Sequence, residues 1–527
     1  MTGGEQPHGN GPVPPPQQGA SPQVNPGLDQ VTVRLPVPAA APAQPVRVGP
    51  PPPAAATAAA APPKPGKRGR KLLVLAAVLV LVAGLGVGGV LGGPWIAQQL
   101  GLSGEGGAGT QPPPAPLNPQ AALRALPAQA PTPSPKGVAA ALDPLAGNAA
   151  LGELTGSVLD ASTGAVLWER GAATARTPAS TGKLVTAAAA LLALDHQTRL
   201  STTVLEGPEP GTVVLVGGGD TTLSALPANK PTYFYPDAAR LDDLAEQVKA
   251  KAGGPVKKII IDVDRYAGPP LAPGWLAVDI AGGHVAPMVP LMVDAARRDP
   301  LTSTTPRTDK PAQAAANELA KRLGGNPATE VGSAPKGAKV LAKVDSPPLP
   351  RLVAAFLSTS DNILAEAVAR ETARGTGNEP SFAGASKAAL DVLSRNGFDL
   401  AGVKMSDGSG LSTEDRVPAK FLSSLLAAAA GTDAKAAKLR PLLTGLPVAG
   451  GTGTLAKRYE KGQNATGRGW VRAKTGTLDG VNSLAGVVTT NDGRLLAFSF
   501  MATGAASDPA RDALDSLAAA LRRCGCG

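Results

Sequence analysis

The segment Pro178-Ala179-Ser180-Thr181-Gly182-Lys183 sets a hydroxyl and an amine three residues apart, at the head of the apolar, Ala-rich run Leu184 to Leu194. That run reads as a buried helix, which puts Ser180 at a helix N-terminus. Residues three apart share a helix face, so the Lys183 amine can lie beside the Ser180 hydroxyl. A serine is inert at its own pKa and needs such a base to attack a carbonyl. An isolated match is more often a plain N-cap followed by a solvated lysine. Two further triplets follow along the chain, Ser360-Asp361-Asn362 and Lys474-Thr475-Gly476. Alone, the first reads as a cap or turn and the second as a strand end. Together and in this order they offer two hydroxyls, two amines and an amide.

Other chemistries are poorly supplied. The histidines are His8, His196 and His284, with no H-E-x-x-H pattern and no Gly-x-Ser-x-Gly context, which disfavours a zinc hydrolase. The counting leaves a Ser-His-Asp triad open, but His196 and His284 look incidental. Cys524 and Cys526 are the only cysteines, so neither a disulfide framework nor a cysteine-rich metal site is available; a local bridge, a redox pair or a frayed tail remain. No metal and no cofactor are expected. Gly217-Gly218-Gly219-Asp220 lacks the Lys-Ser/Thr of a phosphate-binding loop and reads as a strand-terminating turn, with Asp220 capping it or facing the site. Asp407-Gly408-Ser409-Gly410 has the spacing of a tight turn, and Trp275 and Tyr266 read as packing residues.

The elements that position these groups occupy part of the 527 residues, because 54 Pro and 64 Gly are unevenly spread. Residues 1–70 are a Pro/Ala-rich stretch unable to bury enough apolar surface to fold, read as a disordered cytoplasmic tail. Half of the formal charge of +10 lies in residues 1–71. Lys64, Lys67, Arg68, Arg70 and Lys71 immediately precede Leu72 to Gly93, 22 residues without a charge. At about 1.5 Å per residue that run spans a hydrocarbon core of about 30 Å. Residues 71–94 therefore read as one uncleaved transmembrane anchor, N-terminus cytoplasmic by the positive flank, with everything after it outside. With few aromatics and no basic stripe beyond the anchor, no nucleic-acid partner is expected. Residues 95–141 are a Pro/Gly-rich tether, and 142–527 form the folded domain.

Within that domain Gly156 to Arg170 reads as a β-hairpin, and Leu200 to Val216 and Val256 to Asp264 as β-rich runs. Asp237 to Lys251 and Pro311 to Leu323 are helical, and Leu349 to Arg374 reads as two helices interrupted at residues 358–362. Trp470 to Lys474, Ser483 to Thr489 and Arg494 to Ala502 are successive strands, and Pro509 to Arg522 closes the chain as an amphipathic helix. The expected fold class is α/β (α+β), one antiparallel sheet flanked by helices from both chain ends.

The ordered triplets resemble the signature of the serine penicillin-binding proteins and class A β-lactamases. Over Leu142 to Leu521 the chain resembles the class C low-molecular-mass penicillin-binding proteins, D-alanyl-D-alanine carboxypeptidases and endopeptidases of the β-lactamase/transpeptidase-like superfamily. Longer strings carry the likeness: Pro178 to Lys183, Gly217 to Asp220, Asp407 to Ser412, Leu446-Pro447-Val448-Ala449-Gly450 and Lys474 to Leu478. Class A β-lactamases have a short interval between the first two motifs, whereas Ser180 and Ser360 stand 180 positions apart. The family fills that interval with inserted domains, so the resemblance implies an accessory insertion at about 200–345. Thr221 replaces the family's usual Pro after Gly-Gly-Gly-Asp. The tail and anchor are not general to the family.

The resemblance implies a peptidoglycan stem ending in D-Ala-D-Ala as substrate, or a D-alanyl crosslink, and β-lactam antibiotics as inhibitors. Ser180 would be the nucleophile, Lys183 its base, helped by burial and by the nearby charge of Lys474, and Ser360 a proton relay to the leaving amine. Asn362 would hydrogen-bond the substrate amide and Lys183. Lys474 and Thr475 would hold the terminal carboxylate, Gly476 would leave room for substrate backbone, and the N–H groups of Ser180 and Thr477 would form the oxyanion hole. The alternatives are a β-lactamase-like hydrolase with fast deacylation, for which no obvious Glu is offered, and a non-catalytic cell-wall-binding scaffold. The implied location is the bacterial cell membrane, with the catalytic domain outside.

Overall fold

A computed structural model describes residues 130–525. The tail, the apolar span 71–94, most of the tether and Cys526 lie outside the described residues. Among the described residues no helix is long and apolar enough to cross a membrane. Order begins earlier than the sequence suggests. A helix spans Pro135–Ala146, started by the Ser134 hydroxyl accepting from Gly137 N and by Pro135 in its first turn. Val138 and Leu142 bury its apolar side, so seven residues assigned to the tether belong to the folded unit.

In chain order the strands are β1 (Glu153–Asp160), β2 (Val166–Arg170), β3 (Ala175–Arg176), β4 (Ser201–Glu206), β5 (Thr212–Val216), β6 (Lys258–Asp262), β7 (Ala328–Val331), β8 (Val340–Asp345), β9 (Val417–Pro418), β10 (Val471–Leu478), β11 (Val481–Thr489) and β12 (Leu495–Thr503). The main sheet has the order β10-β11-β12-β1-β2 and is antiparallel throughout. Two of its three inner strands, β11 and β12, are largely apolar on both faces because both faces are covered. Leu484, Val488, Leu496, Phe498 and Phe500 point toward the first and last helices of the described residues, Pro135–Ala146 and Ser507–Arg523. The alternate positions Ala485, Val487, Ala497 and Met501 point into the larger helical core around the Lys183–Ala193 helix. Small side chains on this second face let the Ala419–Ala430 helix come close, with the Ser423 hydroxyl donating to Ser157 Oγ at 2.9 Å.

Residues 201–345 carry the second sheet, order β7-β6-β5-β4-β8, in which β5, β6 and β7 are parallel and β4 pairs antiparallel with β5 and β8. The helices Leu241–Lys251 and Pro311–Leu323 share its core with Val204, Leu215, Ile259 and Leu341. β7 has no counterpart in the sequence reading, because its residues are largely exposed and show no apolar alternation. After β5, Gly217 to Asp220 turn the chain, and the buried Asp220 accepts from Thr222 N and Oγ1, so it caps the turn and does not face the cavity described below.

This segment is tied to the Ser360 motif by buried charge. Asp361 Oδ2 accepts from Arg297 Nη2 at 2.7 Å and from the Tyr235 hydroxyl at 2.6 Å, while its Oδ1 caps the Asn362–Gly375 helix at Leu364 N. Burial alone would push the Asp361 carboxyl up; Arg297 and Arg307 outweigh it and hold it well below the usual carboxylate range. Removing Arg297 leaves the buried Asp361 with only the more distant Arg307, 3.9 Å away, and the Tyr235 hydroxyl. Arg297→Ala is therefore expected to destabilise the domain by about 3–5 kcal/mol, read from urea unfolding; a loss under about 1 kcal/mol would contradict the brace.

Candidate active site

Ser180 sits in a single 3₁₀ turn, Ala179–Gly182, that runs straight into the Lys183–Ala193 helix. Lys183 is fully buried and its Nζ makes three short contacts: Ser180 Oγ at 2.9 Å, Asn362 Oδ1 at 2.6 Å and Ser409 O at 2.8 Å. A carbonyl and an amide oxygen only accept, so they take two of the amine's hydrogens. When the amine is neutral, its lone pair is left for the Ser180 hydroxyl. Burial pushes the Lys183 amine down to about 8, against the pull of Asp407, Glu366 and other carboxylates. The help expected from the charge of Lys474 acts between the two lysines and so bears on both. Lys474 is drawn well below the ordinary lysine range, by burial and then by the charge of Lys183.

Ser360 ends the Leu349–Thr359 helix in the left-handed region, φ 60° and ψ 32°, where a residue with a Cβ is strained by roughly 1–3 kcal/mol. The brace through Asp361 holds it there. Lys474 Nζ donates to Ser360 Oγ at 2.9 Å and to Thr475 O at 2.8 Å, so the second lysine lies beneath this hydroxyl and away from the cavity wall. Asn362 bridges two parts of the molecule, its Oδ1 accepting from Lys183 and its Nδ2 donating to His284 O at 3.0 Å.

β10 is an edge strand, and the two-residue turn Asp479-Gly480 closes it on the pair Leu478 and Val481. In the alternating ladder Lys474, Gly476 and Leu478 then bond β11, while Ala473, Thr475 and Thr477 turn their backbone outward. Ala473 N does donate outward, to Pro447 O at 3.0 Å. Thr475 and Thr477 instead line a cavity of about 710 Å³ together with Ser180, Ser360 and Asn362. His284 and Thr304, from the 200–345 segment, form part of its rim.

Gly476, expected to leave room for substrate backbone, has a packing role as well. A Cβ there would stand 2.2 Å from Ser483 Oγ and 2.8 Å from Pro178 O. The glycine is needed for the nucleophile's own turn to pack against β10. Similarly, Asp407 to Ser412 is more than a turn. Ser409 O is a Lys183 acceptor, and a Cβ on Gly410, at φ +78°, would lie 2.0 Å from Ala179 O. Asp407 gathers the N–H groups of Ser409, Gly410 and Ser412 and the indole of Trp275, which is thus a tie as well as packing. Tyr266 packs against Arg370, whose guanidinium stands 5.6 Å from the ring centre.

Sequence reasoning missed Glu366, which accepts from Gly408 N at 2.9 Å and pairs with buried Arg370. Burial and then Asp407 push its carboxyl up to about 7, and the same two causes raise Asp415 to about 10. Two carboxyl groups beneath Lys183 are thus held well above the ordinary carboxylate range. The available signal was the spacing of Asn362, Glu366 and Arg370 at four-residue intervals on one helix face.

A family model, the D-Ala-D-Ala carboxypeptidase 3 (S13) family, matches residues 138–306 and 297–523. The chain is 46% identical to carboxypeptidase DacB of Mycolicibacterium smegmatis over 420 residues, 79% of this chain and 90% of that protein. It is 44% identical over 419 residues to a Mycobacterium tuberculosis carboxypeptidase, covering 79% of this chain and 90% of that one. Penicillin binding protein 4 from Haemophilus influenzae, also solved in complex with a β-lactam, shares the fold, with TM-score 0.57 and 23% identity over 70% of this chain and 95% of that one. The chain belongs to the D-Ala-D-Ala carboxypeptidase 3 (S13) family and is a carboxypeptidase.

Gly476→Ala is expected to displace the Ser180 turn from β10 and to lower carboxypeptidase kcat/KM by about 100-fold or more, as misplacements near 1 Å do. Turnover within a few-fold of wild type would mean the turn yields without cost.

Proposed function

We propose that this protein removes the terminal D-alanine from peptidoglycan stem peptides through an acyl-enzyme on Ser180. The observation that supports it most is the contact set of Lys183, which reserves the amine's lone pair for the Ser180 hydroxyl. Ser180 Oγ attacks the penultimate D-Ala carbonyl as Lys183 takes its proton. The oxyanion forms against the N–H groups of Ser180 and Thr477, the latter on the open edge of β10; each such donor lowers the barrier by about 3–4 kcal/mol. The tetrahedral adduct collapses by breaking the C–N bond, and Ser360, bonded to Lys474, relays to the departing amine the proton that Lys183 took from Ser180, leaving Lys183 neutral for the next step. Water then cleaves the ester. Asn362 holds Lys183 in place and borders the cleft where the peptide lies.

Penicillins enter the same path because their strained amide presents an acyl carbon to the same nucleophile, and the likeness to a β-lactam-binding fold favours this. The apolar stretch 71–94, with its basic N-terminal flank, anchors the enzyme to the bacterial cell membrane, leaving 1–70 in the cytoplasm and the catalytic domain outside. The 200–345 segment acts as an accessory insertion that braces the Ser360 motif.

Wild type incubated with a pentapeptide ending in D-Ala-D-Ala is expected to release D-alanine, and Ser180→Ala is expected to release none above background. Equal release by both would reject the assignment. The rate constant for acylation by benzylpenicillin should rise about tenfold per pH unit up to about pH 8 and then level off, as Lys183 loses its proton. A flat or falling profile between pH 6 and 8 would remove Lys183 as the base.

A further inference from the structure

From sequence, the substrate carboxylate falls to Lys474 and Thr475. In the folded protein Lys474 Nζ is committed to Ser360 Oγ and Thr475 O and does not reach the cavity wall. The wall beyond Thr477 carries a different cation. Arg511, on the closing helix Ser507–Arg523, places Nε and Nη2 each 3.4 Å from Thr477 Oγ1. That edge of a guanidinium is the one that grips a carboxylate with two parallel hydrogen bonds.

A second guanidinium lines the same wall, but it is already used. Arg458 donates to both oxygens of Asp515 at 2.9 and 2.7 Å, and that carboxylate is 2% exposed. Arg458 Nη2 also donates to Arg511 O at 3.0 Å, so it fixes the helical turn that carries Arg511. Arg511 itself pairs only loosely, with Asp508, whose side chain is 90% exposed. A solvated pair of that kind contributes little and exchanges readily. Asp508 and the exposed Asp512 line the same wall, so a carboxylate reaching the guanidinium has to be held by further contacts along β10.

We propose that Arg511 is the charged half of the subsite that receives the C-terminal carboxylate of the substrate, with the Thr475 and Thr477 hydroxyls as its neutral half. Thr475 Oγ1 is held by Thr454 Oγ1 at 2.8 Å, and the two threonines lie on the same side of the edge strand. The subsite rests on the acyl-transfer reading above. It selects chains that end in a free acid beyond the scissile bond, and so an exopeptidase substrate over an internal peptide bond with no carboxylate at that point.

The test compares an N-acylated tripeptide ending in D-Ala-D-Ala with the same peptide as its C-terminal carboxamide, using wild type, Arg511→Ala and Arg511→Lys. Wild type is expected to prefer the acid, and Arg511→Ala to lose about 10- to 100-fold of that preference in kcat/KM, the range for one charge-assisted contact. Arg511→Lys should retain part of it, with thermal unfolding unchanged in both variants. An unchanged preference, or equal losses on acid and amide, would overturn the subsite. If wild type releases neither D-alanine from the acid nor D-alaninamide from the carboxamide, the hydrolase reading and the subsite fall together; an active wild type with an indifferent variant sinks the subsite alone.

Discussion

A lysine amine sealed from water is the constraint on which the rest of this structure depends. Burying an isolated ammonium is prohibitive, and a protein meets that cost by pairing the group or by letting it lose its proton. Lys183 does some of both. Its three acceptors come from segments remote in the chain, around residues 180, 362 and 409, so the amine stays in place only if the whole helical core is assembled. The second buried lysine, Lys474, repeats the arrangement beneath Ser360, and two such cations so close together cannot both keep their charge. The depressed proton affinity of both amines is thus a consequence of where the core closes.

Holding those segments requires bracing, and the 200–345 segment provides it. Arg297 and Tyr235 clamp Asp361, and His284 O receives Asn362, so the strained left-handed Ser360 is fixed from outside the main sheet. Asp361 has no evident chemistry when read in sequence. In space it is the joint between the 200–345 segment and the site.

Much of this was legible beforehand. The order of the three triplets, through its resemblance to a known signature, pointed to Ser180, Lys183, Ser360, Asn362 and Lys474, and the strands around them follow from strong alternation or continuous apolar runs. What escaped depends on contacts across the fold. Ser409 acts through its backbone carbonyl, which has no residue-type signature. The need for glycine at 476 comes from Pro178 and Ser483, hundreds of positions away or on the neighbouring strand. Arg511 is one arginine on an amphipathic helix until the edge of β10 is set beside it. The early start at Pro135 was hidden by a Pro-rich approach, although Ser134-Pro135 is itself a helix-opening pair.

The central claim is that three segments far apart in sequence converge on one nucleophile, and covalent mapping tests it most directly. After exposure of the full-length protein to benzylpenicillin and proteolysis, mass spectrometry should find the penicilloyl adduct on the peptide containing Ser180 and localise it to that residue. Ser180→Ala should carry no adduct. An adduct on Ser360 or elsewhere, or unaltered labelling of the variant, would contradict the account.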